Sequence, residues 1–431
     1  MWAGRADPIE TLSQAAPARP AATVAPAPTS RAVGAGTLAR WDLRERLRWA
    51  QPFRRLRTCG RLPIGPVELG PGWIEGLACC GSVHACPVCS AHLRHERALE
   101  VRALVAAWCG SPPRGAGLLT LTVRHSWGAD LGTLRRGLAG AWRRVWQGRG
   151  AAALRAPLAH LVRALDTTHG NAGWHPHLHV LALYREDPGP GWRDAMASRW
   201  LAAVRAELGD AAVPREDSVG VRWDPAVRSD YLLKLGLEMT GAGVRATRLA
   251  GALRLQPWQI ADLAAAEWAR ARSLGPAETH PWLGLWADFA RATRGARALT
   301  WSAGAHRAAE RAVETELAPE VDARPWVVQV SPSDWNRTAL SPAACLGMPD
   351  LLAATTEGPD ATVRALSSLG VKAERVMVTD SANMLITTGG IFNDAKDSSE
   401  FARRRFLGES ISCGEFAEGG HPDDLAAQAA G

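Results

Sequence analysis

Along the chain, the spacing of apolar positions switches between two periods. From 118 to 125, "LLTLTVRH" alternates, with Leu119, Leu121 and Val123 on one face, as in a half-buried strand. Leu131, Leu134, Leu138, Trp142 and Val145 then recur every three or four residues, which predicts an amphipathic helix. A second strand is expected around "HLVRALDTTH" (160–169), a turn at "GNAG" (170–173), and a third strand from Trp174. Trp192, Met196, Trp200, Val204 and Leu208 mark another helix, "VGVRW" (219–223) a short strand, and "DYLLKLGLEM" (230–239) a helix. This order predicts an α+β fold, an antiparallel sheet with flanking helices on one side.

The flanks read differently. Residues 1–37 are rich in Ala and Pro and predict a disordered leader. A basic, cysteine-rich segment (38–115) follows, with a helix expected over "SAHLRHERALEVRALVAAW". The strand-and-helix pattern occupies 116–245, and 246–374 is mostly helical and arginine-rich. No pattern can be interpreted over 375–431, and the chain carries no internal repeat.

Composition narrows the class. The chain of 431 residues, 47% hydrophobic and 22% charged, fits a soluble globular protein of two or three domains. It shows no apolar run long enough for a membrane span and no secretory signal pattern. A net charge of +7 suits a polyanionic partner. The charge is nearly all arginine, lysine occurring only at 234, 372 and 396.

The densest chemistry lies in "WHPHLHVLAL" (174–183). His175, His177 and His179 alternate, so a strand points all three to one face, with Leu178 and Val180 on the other. Imidazole is the commonest biological metal ligand, and a same-face pair can share one ion. The alternative is a hydrogen-bonded polar sheet edge. Two imidazoles plus an oxygen suit Mn²⁺ or Mg²⁺, and Zn²⁺ less well. Asp166, on the preceding strand, is a candidate third ligand, with His169 and His175 as rivals.

The chain has two tyrosines. Tyr184 is an odd number of positions from His179 and therefore faces away from the histidines. Tyr231 has Lys234 three residues on, on the same helical face. A nearby ammonium stabilises a phenolate, and a bound cation polarises a phosphoryl oxygen, so these groups form a coherent phosphoryl-transfer set. Glu238, two turns beyond Tyr231, is a candidate for activating a second hydroxyl or water.

Five of eight cysteines fall between 59 and 89. Cys86 and Cys89 form a CxxC, and with Cys80 and Cys59 they suit a closed, structural Zn²⁺ site; reduced buried cysteines are the alternative, and Cys79 could replace Cys80. Cysteine usage points to a reducing cytoplasm rather than a disulfide scaffold. Candidate phosphate contacts are Arg44 to Arg57 and a basic helical stretch containing Arg245, Arg248 and Arg254. No base-reading residue can be named.

Together, "LLTLTVRH", "WHPHLHVLAL" and "YLLK", in this order, resemble the three motifs of rolling-circle plasmid replication initiators, Rep proteins of the HUH endonuclease superfamily, of the kind found on actinobacterial plasmids. "CGSVHACPVCSAHLRHERALE" before them and "LWADFARATRGARALTWSAGAHR" (285–307) after them extend the resemblance to roughly residues 40–370. It implies an HUH-like core in which His177 and His179 bind the metal. Asp166 stands where such proteins often carry Glu. Tyr231 matches the nucleophile and Lys234 the lysine that follows it. The implied activity is nicking of one strand at the plasmid origin, leaving a 5′-phosphotyrosine and a 3′-OH primer, with later rejoining. The implied partners are origin DNA, a host helicase and a host DNA polymerase; no GxxxxGK[ST] loop is present to bind ATP. HUH transposases and relaxases share this chemistry, and a zinc-containing DNA-binding protein without nicking activity is the alternative of another class.

Overall fold

The computed structural model describes residues 34–111, 113–215, 220–224, 247–249, 252–274, 280–297, 299–316, 326–339, 347–371, 376–380 and 383–387. Among them, two five-stranded antiparallel sheets and a small hairpin are packed with helices, a mixed α+β architecture.

An outer sheet joins distant parts of the chain. Strands β1 (Pro63–Gly70) and β2 (Trp73–Leu77) pair with each other. The central sheet uses β3 (Gly115–Thr122), β4 (Leu158–Gly170), β5 (Gly173–Tyr184), β6 (Val221–Asp224) and β9 (Leu299–Trp301), in the order β6-β3-β5-β4-β9. The hairpin is β7 (Thr247–Leu249) and β8 (Ala252–Arg254). The outer sheet is completed by β10 (Trp326–Val330), β11 (Val376–Asp380) and β12 (Asn383–Thr387), with β10 seated directly against β1. The last two strands begin the segment whose sequence carries no interpretable pattern.

The helices used below are α1 (Ala35–Leu47), α2 (Pro87–Cys109), α3 (Leu131–Val145), α4 (Gly189–Leu208), α5 (Pro257–Leu274), α6 (Pro281–Ala292) and α7 (Ala305–Glu316). Most periodic residues predicted for α3 and α4 face the sheet, while Leu131 packs in the cysteine-side core with Trp174 and Phe289. Leu134, Leu138, Val145, Met196, Trp200 and Val204 form one core with Leu119, Leu121, Leu178 and Val180. Asp130 starts α3 by accepting the Thr133 N–H at 2.6 Å, which satisfies one of the unpaired donors of its first turn.

The sequence pattern pointed to helices on one side of this sheet. The structure covers both. Val101, Leu104 and Val105 of α2 and Ala309 of α7 pack against Leu118, Leu181, Leu183 and Val162 on the opposite face. Strand β5 therefore reads as a continuous apolar run after His179, as expected for a strand covered on both faces.

The β4–β5 hairpin fixes the register on which the candidate site depends. Its connection is two residues, Asn171 and Ala172, and Gly173 takes a φ of +86°, which glycine adopts without the penalty a Cβ would bring. No helix among the described residues is long and apolar enough to cross a membrane.

Candidate metal centre

Hairpin pairing places Asp166 opposite His177 and Ala164 opposite His179, while β3 on the other side places Thr120 opposite His179. Directly paired residues of an antiparallel ladder share a face, so the carboxylate and both imidazoles converge. His177 Nε2 lies 3.1 Å from Asp166 Oδ2 and 3.0 Å from His179 Nε2, and His179 Nε2 lies 4.0 Å from the same carboxylate oxygen. Metal–ligand bonds of about 2.1 Å put neighbouring ligand atoms roughly 3 to 3.4 Å apart. Two of the three edges already match, and the third, at 4.0 Å, exceeds the range by about 0.6 Å or more. The donor set fits a divalent cation.

Local contacts orient these groups. Asp166 Oδ1 accepts the Thr167 N–H at 2.7 Å, leaving Oδ2 toward the histidines. His179 Nδ1 meets Thr120 Oγ1 at 3.2 Å, an outer partner that frees Nε2 to face the cluster. Burial pushes the His179 imidazole down to about 4, with the His177 charge adding to it and Asp166 opposing. Burial by itself would raise the Asp166 carboxyl, but the charge and hydrogen bond of His177, then His179 and the Thr167 N–H, hold it well below the usual carboxylate range. At neutral pH the cluster therefore presents an ionised carboxylate and a neutral His179, the protonation states that ligation needs.

His175 and His169 separate from this cluster. His175 Nδ1 meets His125 Nε2 at 2.8 Å, and the His169 ring stands edge-on to Trp174 at 4.8 Å between centroids. Tyr184 sits buried in the core between the sheet, α3 and α4, on the face away from the histidines. Tyr231, Lys234 and Glu238, with Arg245, lie outside the described residues.

The structure adds three groups that the sequence reading left out. Thr120 and His125 belong to the alternating stretch around β3, where only the apolar positions drew notice. Arg94 stands seven residues before Val101, two helical turns along the sheet-facing stripe of α2. Its Nε donates to Val83 O at 3.3 Å, and burial lowers the guanidinium to about 10, with the Asp166 charge opposing that shift.

The second cluster gathers Cys59, Cys80, Cys86 and Cys89, all buried. Sγ separations are 3.7 Å for Cys59–Cys86, 3.5 Å for Cys59–Cys89 and 3.7 Å for Cys80–Cys89. A disulfide would need about 2.05 Å. The edge of a tetrahedron with ~2.3 Å Zn–S bonds is about 3.8 Å, so these thiols fit one zinc ion with no position left open. Backbone N–H groups of Cys80 and Ser82 point at Cys59 Sγ and Cys80 Sγ, both at 3.4 Å, which favours thiolates. Cys79 is exposed and outside the cluster.

Two expectations about arginines change. Arg44 and Arg48 are buried, paired with Glu45, and Arg48 also donates to the carbonyl of Cys59 at 3.0 Å. They brace the cysteine loop and are closed to DNA. The stretch holding Arg248 and Arg254 is the β7–β8 hairpin rather than a helix.

No family model matches this sequence, and no solved structure matches it. Among curated proteins, it is 28% identical over 307 residues to "Protein rep" of Streptomyces lividans, an alignment taking in 56% of this chain and 65% of that one. The chain is similar to a Rep protein. It is also 30% identical over 137 residues to "Neomycin resistance protein" of Streptomyces cyanogenus, covering 25% of this chain and 31% of the relative. The matches thus span less than two thirds of either relative.

Proposed function

We propose that this chain nicks one strand of plasmid origin DNA and thereby initiates rolling-circle replication, as an HUH-type Rep protein. The observation that carries the reading is the convergence of Asp166, His177 and His179 on one face of the central sheet. Similarity to a protein named rep and the order of the sequence motifs support it.

In this reading Asp166, His177 and His179 hold Mn²⁺ or Mg²⁺, which when bound polarises an oxygen of the scissile phosphate. Asp166 is already ionised and His179 already neutral, and the proton that His177 Nε2 shares with Asp166 leaves as the cation enters. Tyr231 is the nucleophile: its Oη–P bond forms as the P–O3′ bond breaks, and the phenolic proton passes through solvent to O3′. A 5′-phosphotyrosine and a free 3′-OH result. Lys234 stabilises the phenolate. Because one phosphoester replaces another, the bond energy is kept for later rejoining. The cysteine cluster holds a structural zinc. Origin DNA is the partner in the bacterial cytoplasm, with a host helicase and polymerase continuing the reaction.

Single-stranded oligonucleotides tiling a candidate origin, incubated with the protein and Mn²⁺, test this. The expected result is a denaturation-resistant protein–DNA adduct, lost with chelator, with Tyr231→Phe and with His177→Ala. An adduct that survives Tyr231→Phe moves the nucleophile elsewhere. Salt-sensitive binding without an adduct on any tile replaces nicking with plain DNA binding.

A further inference from the structure

Beside the ligand cluster, the loop after β3 carries an indole into solvent. Trp127 is 78% exposed, more than any other large apolar side chain among the described residues. Its loop is held tightly. Ala129 N–H donates to Ser126 O at 3.1 Å, and Gly128 takes a φ of +85°, so Trp127 and Gly128 are the central pair of a type II turn. The turn lies against the β4–β5 hairpin so closely that a Cβ on Gly173 would stand 3.4 Å from both Ser126 O and Trp127 Cα.

Histidines tie that loop to the site. The Ala172 carbonyl can only accept, so His125 Nδ1, 3.0 Å away, is the donor. The neutral His125 Nε2 then accepts from His175 Nδ1 at 2.8 Å. The His175 ring is in turn 5.5 Å, centroid to centroid, from that of the ligand candidate His177. A continuous row therefore runs from His177 through His175 and His125 to the base of Trp127.

A cation reaches the same end of the sheet. Leu255 bonds His169 through both backbone groups, at 2.9 and 2.8 Å, fixing the end of the β7–β8 hairpin onto β4. Its neighbour Arg254 is thereby held at the hairpin end of the sheet, and its side chain is half-buried. An exposed indole on a hydrogen-bonded turn, with an arginine at the same end of the sheet, offers a stacking surface and a phosphate contact together. It forgoes burial of roughly 200 Å² of aromatic surface, which a stacked base would restore.

We propose that Trp127 and Arg254 form a nucleotide clamp for single-stranded DNA at the rim of the Asp166–His177–His179 site, one base stacking on the indole and a backbone phosphate meeting the guanidinium. The clamp rests on the reading that DNA is the substrate. It deepens that reading by naming where strand and protein touch.

Binding is measured with the zinc-loaded full chain and no added Mn²⁺ or Mg²⁺, by anisotropy of a labelled 20-nucleotide oligothymidylate and of an abasic 20-mer of equal charge. Wild type binds the oligothymidylate more tightly. Trp127→Ala weakens that binding about tenfold while hardly changing the abasic strand, and Trp127→Phe keeps most of the preference. Arg254→Gln weakens both strands alike and lowers the salt slope by about one contact. Trp49→Ala, at a second exposed indole, changes neither. The clamp is overturned if Trp127→Ala binds like wild type, loses equally on both strands, or is matched by Trp49→Ala. Failure of wild type to bind either strand overturns the DNA reading itself. Because Trp127 is exposed, thermal unfolding of its variants should match wild type.

Discussion

The two donor clusters of this chain differ in nearly every physical respect. The cysteine cluster has four like ligands, each at most 7% exposed, packed among Trp286, Phe289, Ile260 and Ala264 of α5 and α6. The Asp166 cluster has three mixed ligands, its carboxylate about one third exposed, on a sheet face where the apolar cover of α2 ends. A closed tetrahedron of sulfur leaves nothing for a substrate, whereas three ligands on an open face leave coordination positions and access. The first arrangement suits stability and the second suits chemistry. Both depend on α2, which begins between Cys86 and Cys89 and carries Arg94 toward Asp166.

The sharpest way to break this contrast is to remove one sulfur. Cys86→Ser should release the zinc and unfold the region built on it, a loss on the order of 10 kcal/mol if the site behaves like other structural zinc sites. Zinc content and the thermal unfolding midpoint measure it; a variant with full zinc and an unchanged midpoint would remove the cluster's structural role. If the proposed nicking reading holds, His177→Ala should do the reverse, lowering adduct formation by more than roughly 100-fold while leaving the unfolding midpoint nearly unchanged.

Two weaker effects act on groups next to the clusters. Thr120→Val should weaken Mn²⁺ binding roughly tenfold by releasing His179 Nδ1, read by calorimetric titration, with the fold intact. The smallest concerns pH. His84, buried beside the cysteine loop, is pushed down to about 3, first by burial and then by the Arg94 charge. It stays neutral in the folded chain and charges near 6.5 when unfolded, so the unfolded chain binds more protons below that pH. Stability should therefore fall as pH drops from about 6.5 toward 3, by about 1 kcal/mol at pH 5.5. Denaturant unfolding at pH 7.0 and 5.5 tests this, and His84→Gln should flatten the difference.

Much of the Asp166 cluster was legible in the sequence because its geometry is local. Period-two alternation set the face and the preceding strand offered Asp166 as a candidate, but the choice between Asp166, His169 and His175 had to wait for the register of the hairpin. The four cysteines were legible as a set because their residue type is rare. What stayed hidden depends on contacts distant in sequence. Nothing in "PVELG" announces that Val67 will face Val330, since short strands carry little periodicity and their partner is chosen by the whole fold. Arg44 and Arg48 read as a basic surface because burial of an ion pair beside Glu45 leaves no mark on composition. The β7–β8 hairpin was mistaken for a helix for want of a turn signal stronger than its Ala and Gly content.

The pairing of β1 with β10 also sets a timetable. About 260 residues separate the two strands, and a ribosome adding 5–20 residues per second needs roughly 13 to 53 s to make them. For that interval one edge of β1 has no partner, and the nascent chain holds an open strand flank while its histidine hairpin can already close. An unpaired strand edge is a site where another chain can add, so the outer sheet is the part of the molecule most open to wrong pairing before the chain is finished.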